Sequence, residues 1–247
     1  MLFFQSPPPT QFDLNFSVAG IPVRVNPLFW LLAIVFGLGT GQILVWVFVV
    51  FFSILIHELG HAFAFRRYGQ DSYIVLHLMG GLTIPETVRW GNDMANVSLS
   101  PNQQIFVSLA GPFAGFILAI LVIASVFFSG GGITISLLFG FIPIPNLAYL
   151  PFGNNALYAF ISMMLWVNVF WGLINLLPVF PLDGGQVARN VLIQYDPWDG
   201  ARKSLWVSTI TGGVVALASY ILLHSIYMAF LFGILAFQSY QALNSRF

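Results

Sequence analysis

The chain has 247 residues, 58% apolar and only 6% charged, with eight basic and eight acidic side chains that cancel to zero net charge. An ordinary globular chain carries about 25% charged residues, so this composition excludes a water-soluble domain, and the lack of a basic surface excludes a nucleic-acid partner. Cysteine is absent, which removes disulfides, thiolate metal sites and thiol nucleophiles together and leaves His, Asp and Glu to hold any metal.

The opening MLFFQSPPPT has no basic residue ahead of Arg24, so it lacks the charged start of a cleaved secretory signal, and membrane entry is expected to depend on the mature spans. Residues 12–26 alternate apolar and polar side chains around an Ala-Gly-Ile-Pro break, which predicts a small β-hairpin at the membrane surface closing an N-terminal segment, 1–26. Judged against about 20 residues per crossing, the apolar runs suggest six spans: 27–41, 43–68, 105–128, 156–177, 205–223 and 226–243. The first is short, ends in GLGTGQ and is expected to pair antiparallel with the second. Between the second and third lies YIVLHLMGGLTIPE, a strand-like stretch interrupted by Gly80 and Gly81, followed by an RWGND turn. Residues 129–155 contain three prolines, so an interfacial or re-entrant loop suits them better than a span. The last two runs, parted by little more than His224 and Ser225, read as a helical hairpin.

The expected fold is therefore an all-α polytopic membrane protein of six transmembrane helices, with small membrane-associated β-hairpin and strand elements. Residues 27–247 form a single membrane unit without internal repeats. When six spans are threaded, Arg24, Arg66, Arg67, Arg89, Arg189, Arg202, Lys203 and Arg246 all fall on one face and the opposite loops hold no charge. The positive-inside rule then places both termini in the cytoplasm, with Asn92 on that side and Asn154 and His224 on the other.

The chemistry is concentrated in few residues. The second span reads ILIHELGHAFAFRRYG, a match to H-E-x-x-H, in which two imidazoles four residues apart share one helix face and can meet one zinc ion, with a Glu beside them. The plain alternative is a pair of His bonding helix to helix, but an intramembrane Glu between two His is costly in hydrocarbon unless something compensates it. A catalytic zinc takes three protein ligands and leaves a position for water, so a third donor is needed. His77, Glu86, His224, Asp13, Asp71, Asp93, Asp196 and Asp199 are available. Asp183 differs from them: it lies in NLLPVFPLDGGQ, where Pro178 and Pro181 break the fourth span and Gly184 and Gly185 permit close backbone approach. Spacing alone divides Asp183 evenly between a metal ligand and a cap on the segment that follows.

Three motifs then occur in register: His57-Glu58-Leu59-Gly60-His61, Ala110-Gly111-Pro112 early in the third span, and Asn175 to Gly185 closing the fourth. In order and position they resemble the site-2 protease family of intramembrane zinc metalloproteases, over roughly 20–190. The resemblance implies one zinc per chain held by His57, His61 and Asp183, with Glu58 as general base and Asn175 near the reacting carbonyl. Asn168, a heptad earlier, matches a recurrent family position, and Gly80-Gly81 look like the family's membrane-facing strand. The PDZ or CBS domains that many members carry have no counterpart among these residues. The expected location is a bacterial plasma membrane, and the expected partners are the lipid bilayer and a transmembrane protein substrate.

Arg66 follows His57 by nine residues, which at 1.5 Å rise puts a metal there about 14 Å below the cytoplasmic boundary, within reach of a polar channel past the Pro-broken fourth span. A helical substrate must unwind before its carbonyls are open to attack, and 73–82 offers a strand edge to which an unwound segment could add, unless that strand only anchors the loop. Two other functions compete with a peptidase: a catalytically silent membrane scaffold or chaperone of the same family, and a metal transporter. The intact H-E-x-x-H argues against the first, and the transporter has no need of Glu58 between two His.

Overall fold

A computed structural model of the chain describes residues 7–86, 88–90, 93–95, 99–138 and 142–245. Asn92 and Arg246 lie outside the described residues. The chain divides into two units, one drawn from Gln5–Val97 and Ala110–Ile174, the other from Ser98–Leu109 and Asn175–Phe247 together with Met1–Phe4.

The larger unit begins with the expected hairpin, β1 (Leu14–Val18) and β2 (Ile21–Val25), turning through Ala19 and Gly20, both at positive φ. Asp13 and Arg24 pair at 2.9 Å. Thr10's hydroxyl, with Arg24's charge adding to it, holds the Asp13 carboxyl below the usual carboxylate range. Asn26 caps α1 (Pro27–Gly37), accepting from Leu28 N–H, with Pro27 at the first helical position. At 11 residues, α1 is shorter than the 27–41 span expected, because the glycine-rich turn that follows stops it early. Then comes α2 (Ile43–Arg67), ending at Arg66 and Arg67, whose charge suits a helix C-terminus.

The strand-like stretch proves to be two strands, β3 (Ser72–His77) and β4 (Gly80–Pro85). They join the first hairpin in a four-stranded sheet of order β1-β2-β3-β4. β2 and β3 run parallel, Val23 opposite Ile74 and Val25 opposite Leu76, and the crossover that parallel strands need is α1 plus α2. Alternate residues Ile21, Val23 and Val25 are buried with Ile74, Leu76, Phe29 and the Leu55, Leu59 and Ala62 face of α2, the period-2 and period-3.6 patterns meeting in one core. Arg66 Nη1 donates to the Ala19 carbonyl at 2.8 Å, which fixes the hairpin at the C-terminal end of α2. In the polar loop, β5 (Val88–Trp90) pairs antiparallel with β6 (Asp93–Ala95).

α3 (Pro101–Phe128) is followed, within 129–155, by another hairpin and not a re-entrant loop: β7 (Gly132–Leu138) and β8 (Ile142–Tyr149). One of its faces carries Ile133, Ile135 and Leu137 opposite Leu147, Pro145 and Pro143, the other Thr134 and Ser136 with Asn146. Its two prolines, Pro143 and Pro145, are tolerated because a two-stranded ribbon consists of edges, and Pro151 lies beyond its end. The segment expected as a fourth span is α4 (Asn155–Trp166), a π-helical turn at Val167–Trp171 and α5 (Gly172–Asn175).

The second unit contains α6 (Asp183–Tyr195), α7 (Gly200–Ile221) and α8 (Ile226–Ser245). α7 and α8 form the predicted hairpin around His224, at φ 51°, and pack closely where Gly212 meets Ala236. Among the described residues, five helical segments are long and apolar enough to cross a membrane: Ile43–Arg67, Pro101–Phe128, Asn155–Asn175, Gly200–Ile221 and Ile226–Asn244. The fold is mostly helical with small sheets, as read from sequence.

Candidate metal centre and active site

On α2 the four-residue spacing turns His57 and His61 to one face. Their Nε2 atoms stand 3.2 Å apart, and the rings meet edge to face with centroids 4.9 Å apart. Two nitrogens bound to one tetrahedral zinc at about 2.0–2.1 Å lie about 3.3 Å from each other, so the imidazoles already hold the separation a shared ion requires. Gly111 of α3 leaves the space in front of them open. A Cβ there would fall 2.8 Å from His57 Nε2 and 2.5 Å from His61 Cε1.

Glu58 is 6% exposed, a carboxylate placed where it must find partners. Thr83 of β4 supplies one: its Oγ1 donates to Glu58 Oε2 at 2.7 Å and lies 3.0 Å from the Glu58 carbonyl oxygen. Gly81, two residues back and therefore on the same face of β4, lies against the same side chain. A Cβ at Gly81 would sit 2.5 Å from Glu58 Oε1 and 2.6 Å from Cδ. Gly80 opens the strand at φ +119°, a conformation that L side chains rarely adopt. The sequence-predicted His57, Glu58, His61 and Gly81 are thus brought together within one unit, with β4 as the outer strand of its sheet.

Asn168 bridges two helices. It is buried in the π-helical turn, and its Nδ2 donates to Ser53 Oγ at 2.9 Å and to Met164 O at 2.8 Å, which ties α4 to α2. Asn175 closes α5.

In the second unit Asp183 is the first residue of α6, and the N-cap position falls on Leu182. Asp183 is therefore not the cap of that helix, although its charge suits the helix N-terminus. Gly184 and Gly185 earn their places by close approach: a Cβ on Gly185 would lie 2.5 Å from Phe180 N and Val179 C, and one on Gly184 2.6 Å from the Leu177 carbonyl oxygen. Several other carboxylates and imidazoles that could have served as third donors have their own partners. Asp13 pairs with Arg24. Asp196 pairs with Lys203 at 2.6 Å, whose ammonium holds that carboxyl below its usual range. His77 Nδ1 accepts from Met79 N–H at 3.4 Å, and burial, with Arg24's charge adding, pushes its imidazole below the ordinary value.

Sequence reasoning noted Gly111 as part of a motif but had no role for it, and it missed Thr83 and Ser53, which carry no local signal.

Comparison with known proteins gives the same frame. The family model described as peptidase family M50 matches residues 45–218. A zinc metalloprotease of Methanocaldococcus jannaschii is 29% identical over 185 residues, covering 72% of this chain and 44% of that protein. Relatives from Synechocystis sp. and Mycobacterium tuberculosis are 28% and 29% identical over 195 and 180 residues, covering 72% and 71% of this chain. The chain spans less than half the length of these curated relatives. The solved site-2 protease from Methanocaldococcus jannaschii superimposes with a TM-score of 0.53 at 23% identity, covering 94% of this chain and 95% of that one, which shows a shared fold.

Proposed function

The chain belongs to peptidase family M50, the family of the site-2 proteases, and from that premise we propose that it is a zinc-dependent endopeptidase cutting transmembrane proteins near the cytoplasmic side. The observation that carries this reading is the pair of converging imidazoles with a buried carboxylate between them in sequence, on one turn of α2. With Asp183 as the third donor, His57 and His61 would offer zinc two imidazole nitrogens and a carboxylate oxygen, the ligand chemistry of a catalytic zinc that keeps its fourth position for water. When bound, zinc would supply a Lewis acid that lowers the pKa of water to about 7 and polarises a carbonyl. Glu58 takes the proton of the attacking water at its carboxylate and returns it to the leaving amine as the C–N bond breaks. The Asn175 carboxamide donates to the oxyanion that forms in between.

The strand edge supports a route for substrate. β4 lies at the edge of its sheet and its Gly81 end reaches Glu58, so an unwound segment pairing with β4 would be carried past the base. Glycine substitutions are poor tests of this, because a Gly81 side chain strikes Glu58 and Gly80 needs its positive φ. The substrate is the better variable. With purified, zinc-loaded protein, substrate helices carrying Gly-Pro near their cytoplasmic end should be cut faster than polyleucine helices, since each such residue lowers the cost of unwinding by about 1–3 kcal/mol, and a chelator should stop both. Cleavage that persists without metal would rule out zinc dependence, and equal rates on both helices would rule out strand addition.

We read the chain as making six crossings, with both termini cytoplasmic. β2 pairs with β3, β3 with β4, and Gly81 of β4 lies against Glu58, while Phe29 packs with Leu55 and Leu59, so residue 26 lies beside the middle of α2 and 27–42 lead from there to its start at Ile43. Cysteines introduced at Asn154 and His224 should therefore react with an impermeant reagent from outside the cell only, and labelling of either from the cytoplasm would break the topology.

A further inference from the structure

We propose that Thr83 is a positioning residue for Glu58, holding its carboxylate in one place against β4. The inference rests on the reading of Glu58 as the general base. Its footing is the hydrogen-bond geometry: one hydroxyl, 2.7 Å from Glu58 Oε2 and 3.0 Å from the carbonyl oxygen of the same residue. A threonine hydroxyl has a single proton and two lone pairs. That proton is given to Oε2 at the shorter distance, and the Glu58 carbonyl oxygen lies within reach of the same hydroxyl, so one side chain of β4 touches both the carboxylate and the backbone that carries it.

The sheet makes this arrangement possible. Gly81 and Thr83 occupy the same face of β4: the first removes a side chain so that Glu58 can lie against the strand, and the second supplies the hydroxyl. Thr83 faces Glu58 from β4, which pairs with β3, so its backbone is fixed independently of α2. A residue that merely packed the sheet on the helix would depend on its methyl group and its β-branched shape, whereas a residue that positions the base depends on its oxygen.

Two substitutions separate these roles. Thr83→Val keeps shape and strand preference and loses the hydroxyl; Thr83→Ser keeps the hydroxyl and loses the methyl. Each is made in the full chain, reconstituted in lipid with zinc and a cleavable transmembrane substrate, and read as kcat, KM, zinc per chain and thermal midpoint, beside Glu58→Gln. Positioning predicts that Thr83→Val loses about 100-fold in kcat, the scale of a base misplaced by about 1 Å, with KM within about twofold. Zinc content should be unchanged, and Thr83→Ser should recover most of the rate. An active Thr83→Val protein, or a Thr83→Ser protein as slow as Thr83→Val, overturns the inference while an inactive Glu58→Gln protein leaves the base assignment intact. An active Glu58→Gln protein overturns the base assignment, and this inference with it.

Discussion

Glu58→Gln is expected to leave about one zinc on each chain and to reduce turnover to background. Gln has the length of Glu, its amide oxygen can accept from Thr83 in place of Oε2, and Gly81 leaves the side chain its room. What is lost is the capacity to take a proton. General-base catalysis contributes about 10²–10⁴-fold, and a site in which base and metal act as a unit loses more than either part alone. The check is metal analysis of the purified protein beside an assay of product from a transmembrane substrate. A Gln variant within about tenfold of the parent rate would assign the base elsewhere.

Gly111→Val should do the opposite and empty the site. The first atom of any side chain at this position falls against the two nitrogens offered to the metal, 2.8 Å from His57 Nε2, so the imidazoles must turn away or the ion has no place. Zinc retention and cleavage should vanish together, while insertion of the apolar helices, which depends on hydropathy, continues. Gly213→Ala in α7 provides the comparison, because a Cβ there meets nothing within 4 Å. It should keep both zinc and rate. A Gly111→Val protein with a full complement of metal would mean that His57 and His61 do not share an ion at this face.

The parts of the molecule legible from sequence are those fixed by short spacings. His57, Glu58 and His61 lie on one helical turn, so their shared face follows from the period of the helix. The hairpin around Gly20 and the long spans follow from alternation and run length in the same way. What was hidden depends on partners distant in the chain. Gly111 sits some fifty residues beyond the histidines it faces, and Thr83 reaches Glu58 across 25 residues; neither relation has a local pattern. Asn168 could be placed on a helix but not given its Ser53 partner, 115 residues away. Residues 129–155 were rightly kept from being a span, but their hairpin was not seen because proline was weighed against a membrane span and not against a two-stranded ribbon, where edges accept it. The length of α1 was overestimated because the apolar run continues past the point where Gly37 and the turn at Thr40 end the helix.

The zinc content of the purified chain, compared with that of His57→Ala, His61→Ala and Asp183→Ala, tests the central claim most directly. Three ligands on one ion predict about one zinc in the parent protein and severe loss in each of the three variants. Each variant should also be inactive, because a catalytic zinc needs all its protein donors. If Asp183→Ala kept its zinc and its activity, the third ligand would lie elsewhere, with His77 the next residue to test. If the parent chain bound no zinc and still cleaved its substrate, the metallopeptidase account would fail as a whole.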